Sequence, residues 1–438
     1  MSSAASMAPE WRNWAGDQAC RPAAIEHPAN VEEVSAAIGR ARAADRTVRA
    51  VGAGHSFTDA ALTDGTLLAL DRMRRVLDVD RASGLARVEA GISLGELSKA
   101  LWAHGLALEN LGDVDVQSIA GATATGTHGT GSRLRNLSAG LREIELVTAG
   151  GETIRVSADD DAEAWRAARV GVGALGVVTA VTLQAVPAFT LEGTDSTAPL
   201  EELLDGLDDH ADGADHFELY AFPHSPVAIT RTNRRVDRSP APPSRLTAWA
   251  GDVLLRNYVL GLAFELGRRA PRTIPATHRA LTRIASTSRR TDRSYRIFAS
   301  PRLVRFTEME YALPRARAAE AVRAVLEVAR RPGFAVPMPI EVRFVAPDDA
   351  FLSPAGGRET AYIAVHMYRG MDWASYFRAV EEVMDGFEGR PHWGKRHFQT
   401  AATLAPRYPD WDRFQAVRRR LDPDGVFANG YVRRVLAG

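Results

Sequence analysis

The stretch Arg49-Ala50-Val51-Gly52-Ala53-Gly54-His55-Ser56-Phe57-Thr58 decides how this chain is read. Residues 47–51 alternate β-branched with small or polar side chains, the pattern of a short strand. Gly52 and Gly54 then permit backbone angles and close approaches that a Cβ forbids. Successive N–H groups of such a turn can point at one anion, a nest for phosphate. The next residue is His55 rather than a third glycine opening a helix, so the Rossmann dinucleotide fingerprint is absent. Two readings stay open on these residues alone. One is a plain strand and turn with a histidine at the surface. The other is a phosphate-bearing cofactor with a histidine bonded to it or stacked on it.

A second stretch, Ser118-Ile119-Ala120-Gly121-Ala122-Thr123-Ala124-Thr125-Gly126-Thr127-His128-Gly129-Thr130-Gly131, carries four glycines and four threonines in fourteen residues. Small side chains bury little area and glycine is costly to order, so no core helix or strand is expected here. The composition suits backbone lying flat against a large ligand. The two glycine stretches, their spacing and the C-terminal Pro391-His392-Trp393-Gly394-Lys395 resemble flavoproteins of the vanillyl-alcohol oxidase type. Within that type the resemblance is to the sugar-1,4-lactone oxidases and dehydrogenases, with alditol oxidases as near cousins, and it spans nearly the whole chain. It implies an α+β, two-domain flavoprotein. A two-lobed FAD-binding domain would cover 1–186, an α/β substrate (cap) domain 187–399, and a segment 400–438 would return to the FAD domain. It also implies FAD joined covalently through His55 at the flavin C8 methyl. The residues it places against the cofactor are Gly52, Ala53, Gly54, His55 and Ser56, then Ser118, Gly121, Ala122, Thr125, Gly126, His128 and Val178.

Bulk properties narrow the setting. A chain of 438 residues is long enough for two or three domains and a large core. Lysine plus arginine equal aspartate plus glutamate at 54 each, which gives no electrostatic case for nucleic acid or an anionic membrane. The one cysteine, Cys20, rules out an internal disulfide and fits a reducing compartment. Residues 1–17 lack the apolar core of a signal peptide, and no uncharged apolar run approaches the ~18 residues of a membrane span. The expected location is the cytoplasm, free or against a membrane. The bases are arginine apart from Lys99 and Lys395. A compact ammonium kept at Lys395 in such a chain suggests a point charge beside a ring, which a guanidinium does not replace.

The order of elements follows from caps and periodicity. Asn30 with Glu33, and Ser93 with Glu96, predict helices over 31–43 and 94–104. Strands are expected over 67–70, 76–79, 86–89, 141–147, 153–156 and 178–186. Beyond Pro187 the pattern gives strands over 217–222, 227–230, 305–313, 338–345 and 362–367, helices over 315–330 and 373–386, and a loose Pro- and Arg-rich stretch over 234–245.

Within 338–345, Glu341 and Arg343 lie two residues apart, so they share one strand face while Ile340, Val342 and Phe344 share the other. Such a pair can be a surface ion pair or can grip a hydroxyl jointly. The resemblance favours the second and implies catalytic roles for Glu341, Arg343, Lys395 and His366. It also sets Gly112 where oxygen would reach the flavin. Asp113 and Tyr368 stand where alditol oxidases have serine and threonine, which favours a lactone over an open-chain polyol. The implied activity is oxidation of a secondary alcohol of an aldono-1,4-lactone such as L-gulono-1,4-lactone, the flavin being reoxidised by O2 or by an electron-acceptor protein or quinone. Alditol oxidation is the alternative. No histidine has a zinc-ligand spacing in sequence, so no metal is expected.

Overall fold

The computed structural model describes residues 10–244, 257–300 and 302–437. Arg245, the end of the loose stretch, lies outside them. The anchoring strand is Val48–Val51, in a three-stranded parallel sheet ordered Ala24–Glu26, Thr66–Ala69, Val48–Val51. Helix Val31–Ala43 connects the first of these to the third. It starts at Asn30, whose side chain accepts the Glu33 N–H, and buries Val34, Ala37, Ile38 and Ala41. A second lobe is a five-stranded antiparallel sheet ordered Thr153–Ser157, Leu141–Val147, Val177–Gln184, Leu85–Glu89, Val76–Asp80. Its helix Leu94–Ala103 opens on a reciprocal box between Ser93 and Glu96.

Apart from two small two-stranded pairings, Trp11–Arg12 with Ala19–Cys20 and Leu106–Ala107 with Val186–Pro187, the other strands form one eight-stranded sheet, ordered Ser288–Arg293, Thr190–Pro199, Val227–Val236, His216–Ala221, Ile340–Val345, Thr360–Tyr368, Phe306–Pro314, Arg390–Pro391. Period-two alternation gives it two unlike faces. Leu219, Met309, Tyr311, Val342, Phe344 and Ile363 pack beneath helices Ala318–Arg330 and Ala374–Asp385. The opposite face of the same strands carries Glu218, Glu308, Glu310, Glu341, Arg343 and His366, all buried. That polar face is closed by the first two lobes: Thr130 Oγ1 accepts from Phe344 N–H at 3.2 Å, and Asp113 reaches Arg343 at 3.3 Å.

Some elements differ from the sequence expectation. Within the glycine–threonine stretch a short helix, Ile119–Ala124, does form, because Ser118 caps it and small side chains let it sit against neighbouring backbone. The strand expected over 227–230 runs to Val236, since its partner Thr190–Pro199 pairs with it over ten residues. The helix expected from 315 starts at Ala318 after a tight turn, Arg315–Arg317. The chain end packs Leu404, Trp411, Phe414, Tyr431 and Val435 into the same core as Leu94, Leu97 and Ile119.

Candidate active site

A groove runs along the glycine turn. Gly52, Ala53, Gly54, His55 and Ser56 line one side, Ser118, Gly121 and Thr125 another, with Val178 also in the wall. Gly52 is obligatory for a steric reason: a Cβ there would sit 1.9 Å from Ser118 Oγ. Gly54 turns the chain with φ +66°, in the left-handed region where a side chain is strained. Among the described residues, no backbone N–H from Ala53 to Ser56 donates to a protein acceptor, whereas Phe57 N–H is paired with Gly394 O at 2.8 Å. Four consecutive amides without a protein acceptor, on residues that line a groove, fit the pyrophosphate of a dinucleotide. Of the other residues assigned to the cofactor, Ala122 and Gly126 stand behind the wall. Ala122 is packed in the core, and Gly126 makes a left-handed turn against Pro354.

His55 is placed by a segment that the sequence left without a role. Trp14 N–H donates to Gly54 O at 2.8 Å, Asn13 Nδ2 donates to Ser56 O, and the Trp14 ring stacks on His55 with centroids 4.9 Å apart. Burial, and then the Lys395 charge, push the His55 pKa down to about 4. Its imidazole is therefore neutral at physiological pH, with a nitrogen lone pair available for bonding.

The groove meets a cavity of about 1080 Å³ at Gln117, His392 and Lys395, which line both. The polar face of the large sheet forms its floor, and Glu341, Arg343, His366 and Lys395 all line it. Arg343 is held by three carboxylates: Glu341 beside it, Glu218 at 3.1 Å from the neighbouring strand and Asp113 at 3.3 Å from the first domain. Burial alone would weaken this guanidinium; Glu341 and Glu218 more than offset that and raise its pKa. His366 Nδ1 donates to Pro339 O at 3.1 Å, which turns Nε2 toward Glu308 at 3.6 Å and Glu341 at 3.8 Å. Burial opposes protonation of His366, but Glu308 and then Glu341 outweigh it and raise its pKa. Lys395 Nζ contacts Glu308 directly and lies 5.2 Å above the Phe57 ring centroid.

Glu308 and Glu310 were not singled out from sequence, where they read as alternate positions of one strand. Their shared face is the only signal, and it becomes functional through partners 58 to 182 residues away: His366 for the first, His128 for the second. Burial alone would raise the Glu308 carboxyl, but the charges of Lys395 and then His366 outweigh it and lower its pKa. His128, Glu310 and His392 also come together, their ligand atoms within 4.8 Å, which raises the question of a metal that sequence spacing did not. The hydrogen bonds of the two rings bear on it differently. His392 Nδ1 accepts the Gly394 N–H at 3.0 Å, so in the neutral ring the other nitrogen carries the proton and has no lone pair for a metal. His128 Nδ1 donates to Gly129 O at 2.8 Å and its Nε2 faces Glu310 at 3.3 Å. With Nδ1 protonated, neutral His128 carries its lone pair on Nε2, so its contact with Glu310 is an N–H donation only when the ring is protonated; His392, whose Nδ1 lone pair is taken by the Gly394 N–H, is the member of the trio that does not suit a metal. His397 is set apart, bonded to the Tyr431 hydroxyl at 3.0 Å.

A nucleotide groove on two small lobes, opening into a cavity floored by the polar face of a cap sheet, defines a two-domain FAD-dependent oxidoreductase of the vanillyl-alcohol oxidase type. An FAD-binding domain profile matches residues 22–157, and the D-arabinono-1,4-lactone oxidase profile matches 181–435. The chain belongs to this lactone oxidase family. It is 53% identical over 430 residues to L-gulono-1,4-lactone dehydrogenase of Mycobacterium tuberculosis, covering 98% of this chain and 100% of that one. It is 36% identical to L-gulonolactone oxidase of Bos taurus (97% and 98% covered) and 35% identical to alditol oxidase of a Streptomyces strain (97% and 99% covered). Among solved structures, a solvent-stable cholesterol oxidase shares the fold at TM-score 0.81 and 18% identity, covering 97% of this chain and 96% of that chain. No helix among the described residues is long and apolar enough to cross a membrane.

Proposed function

We propose that the enzyme oxidises a secondary alcohol of an aldono-1,4-lactone, L-gulono-1,4-lactone or a close relative. The reading is carried by one observation: Glu341, Arg343 and His366 line one cavity together with Lys395, which also lines the glycine-lined groove. FAD, held by the glycine-lined groove, would supply the two-electron acceptor for the hydride. Every other demand falls on the chain's own side chains. Arg343, braced by Asp113, Glu218 and Glu341, offers a fixed guanidinium to a substrate hydroxyl. Glu341 accepts the hydroxyl proton as the carbon–hydrogen bond breaks, and His366 donates to a second oxygen. Lys395 would supply positive charge beside the flavin ring, favouring electron transfer to it, and Glu308 holds that ammonium in place. His55, kept neutral by burial, would be the residue that holds the flavin covalently. In domain terms, 1–186 and 400–438 hold the cofactor and 187–399 caps the substrate.

Alditols are the weaker alternative. Asp113 is committed to Arg343 and Arg302, and Tyr368 packs against Phe264 with centroids 6.1 Å apart, so neither offers a free hydroxyl contact for a longer chain. The acceptor that returns the flavin to its oxidised state is O2 or an electron-carrying protein or quinone, and the enzyme works in the cytoplasm or against a membrane. The test is anaerobic titration of the yellow protein. L-Gulono-1,4-lactone is expected to bleach it faster than xylitol; bleaching by xylitol alone would reverse the order of the two readings. Admitting air then separates an oxidase, which recolours rapidly with peroxide release, from a dehydrogenase.

A further inference from the structure

Eight large apolar side chains stand exposed among the described residues, and six fall within 258–303: Tyr258, Val259, Leu262, Leu266, Ile284 and Leu303. Helices Leu260–Arg269 and Ile274–Ile284, joined through Pro271–Thr273, form a hairpin that carries three of them, and Tyr258 and Val259 lead directly into its first helix. Tyr258, Leu262 and Leu266 recur every four residues and make one outward stripe, with Leu262 71% exposed. The inward side of the same helix is also apolar: Phe264 packs with Met338 and Tyr368. A helix apolar on both sides needs something to cover its outer face.

Two further observations identify the cover. The zero net charge of the chain conceals a local surplus: residues 257–285 contain Arg268, Arg269, Arg272, Arg279 and Arg283 against one acid, Glu265. All five arginines are exposed, and Glu265 is shared between Arg268 and Arg269. In addition, Val259 and Ile284 are exposed and at the same time line the large cavity, so the apolar surface continues into its mouth. A second copy of the chain would set one arginine cluster against another. A stripe of leucine and tyrosine rimmed by arginine matches the composition of helices that lie in a lipid headgroup layer.

We propose that the hairpin 257–285 docks the enzyme on an anionic lipid bilayer, with the stripe of Tyr258, Leu262 and Leu266 in the headgroup boundary and the cavity mouth facing the lipid. This rests on the membrane placement within the proposed function and gives that placement a surface. The test floats the purified holoenzyme with phosphatidylcholine vesicles, with and without phosphatidylglycerol, alongside the variants Leu262→Ser/Leu266→Ser and Arg272→Glu/Arg279→Glu. The wild type is expected to float with the anionic vesicles only, less as salt rises, and each double variant to lose roughly tenfold or more of that binding. Retained yellow colour and unchanged anaerobic bleaching by lactone show that the variants are folded. Wild-type enzyme that stays unbound on anionic vesicles overturns both docking and membrane placement. Variants that float as well as wild type leave the placement standing and overturn this surface, as does a wild-type dimer that the variants dissociate. Loss of lactone bleaching in the wild type overturns the catalytic reading separately.

Discussion

Lys395 is one of two lysines in a chain with 54 basic residues, and the contacts of its Nζ explain the economy. A buried carboxylate, Glu308, fixes the ammonium at the seam between groove and cavity, where a planar guanidinium would have to displace Phe57 or Glu308. Lys395→Met is expected to slow flavin reduction by lactone by roughly 10²–10³-fold, the loss typical of one electrostatic stabiliser, and Lys395→Arg to recover little of it. Stopped-flow reduction under argon measures both. At His55 the expectation concerns a bond. The wild-type protein should keep its yellow colour in the pellet after acid precipitation, and His55→Ala should release flavin to the supernatant. Release of flavin from the wild type as well would show that the neutral imidazole, held at about pKa 4, is not the point of attachment.

At the scale of one element, strand Ile340–Val345 divides stability from chemistry by its pleat. Phe344 is 1% exposed among the helices, while Glu341 and Arg343 face the cavity. Phe344→Ala should cost about 3–5 kcal/mol of stability through the cavity it leaves. Glu341→Gln keeps the shape of the side chain and leaves Glu218 and Asp113 on Arg343, so it should lower Tm less than Phe344→Ala while slowing flavin reduction roughly 10²–10⁴-fold, the range of a lost general base. Thermal melts and single-turnover kinetics on both variants check the separation. This alternation was legible in the sequence, and so was helix Val31–Ala43, because caps and periodicity are local signals. Sheet order was not legible. Nothing local places His216–Ala221 beside Ile340–Val345, yet that pairing brings Glu218 to Arg343, and only the docking of the two domains adds Asp113. The short helix Ile119–Ala124 escaped notice for the opposite reason: its composition argues against a helix, and a single cap with close neighbours overrides it.

For the whole molecule, buried histidines set how stability depends on pH. Burial is the main cause that lowers His216 and His278 to about 4, and His392 and His397 to about 3. In the unfolded chain each would titrate near 6.5. Between those values the unfolded state binds more protons than the native state, so stability is full above about pH 6.5 and falls as pH drops toward 4. His366, with its pKa raised, acts in the opposite direction, and burial raises the carboxyls of Asp348, Glu381 and Asp422, which gives the native state some protons of its own. Four histidines shifted by two units or more outweigh these, and Tm is expected to fall by roughly 5–10 °C between pH 7.5 and pH 5. His216 isolates the effect. It is 1% exposed, its ring nitrogens make no hydrogen bond of normal geometry, and it lies edge-on to Phe298 with centroids 4.8 Å apart. His216→Leu removes a titrating group and two unpaired polar atoms and breaks no side-chain hydrogen bond. Differential scanning calorimetry should therefore find the variant more stable than the wild type, with the larger gain at pH 5. An equal gain at both pH values would assign the effect to packing alone and leave His216 outside the acid response.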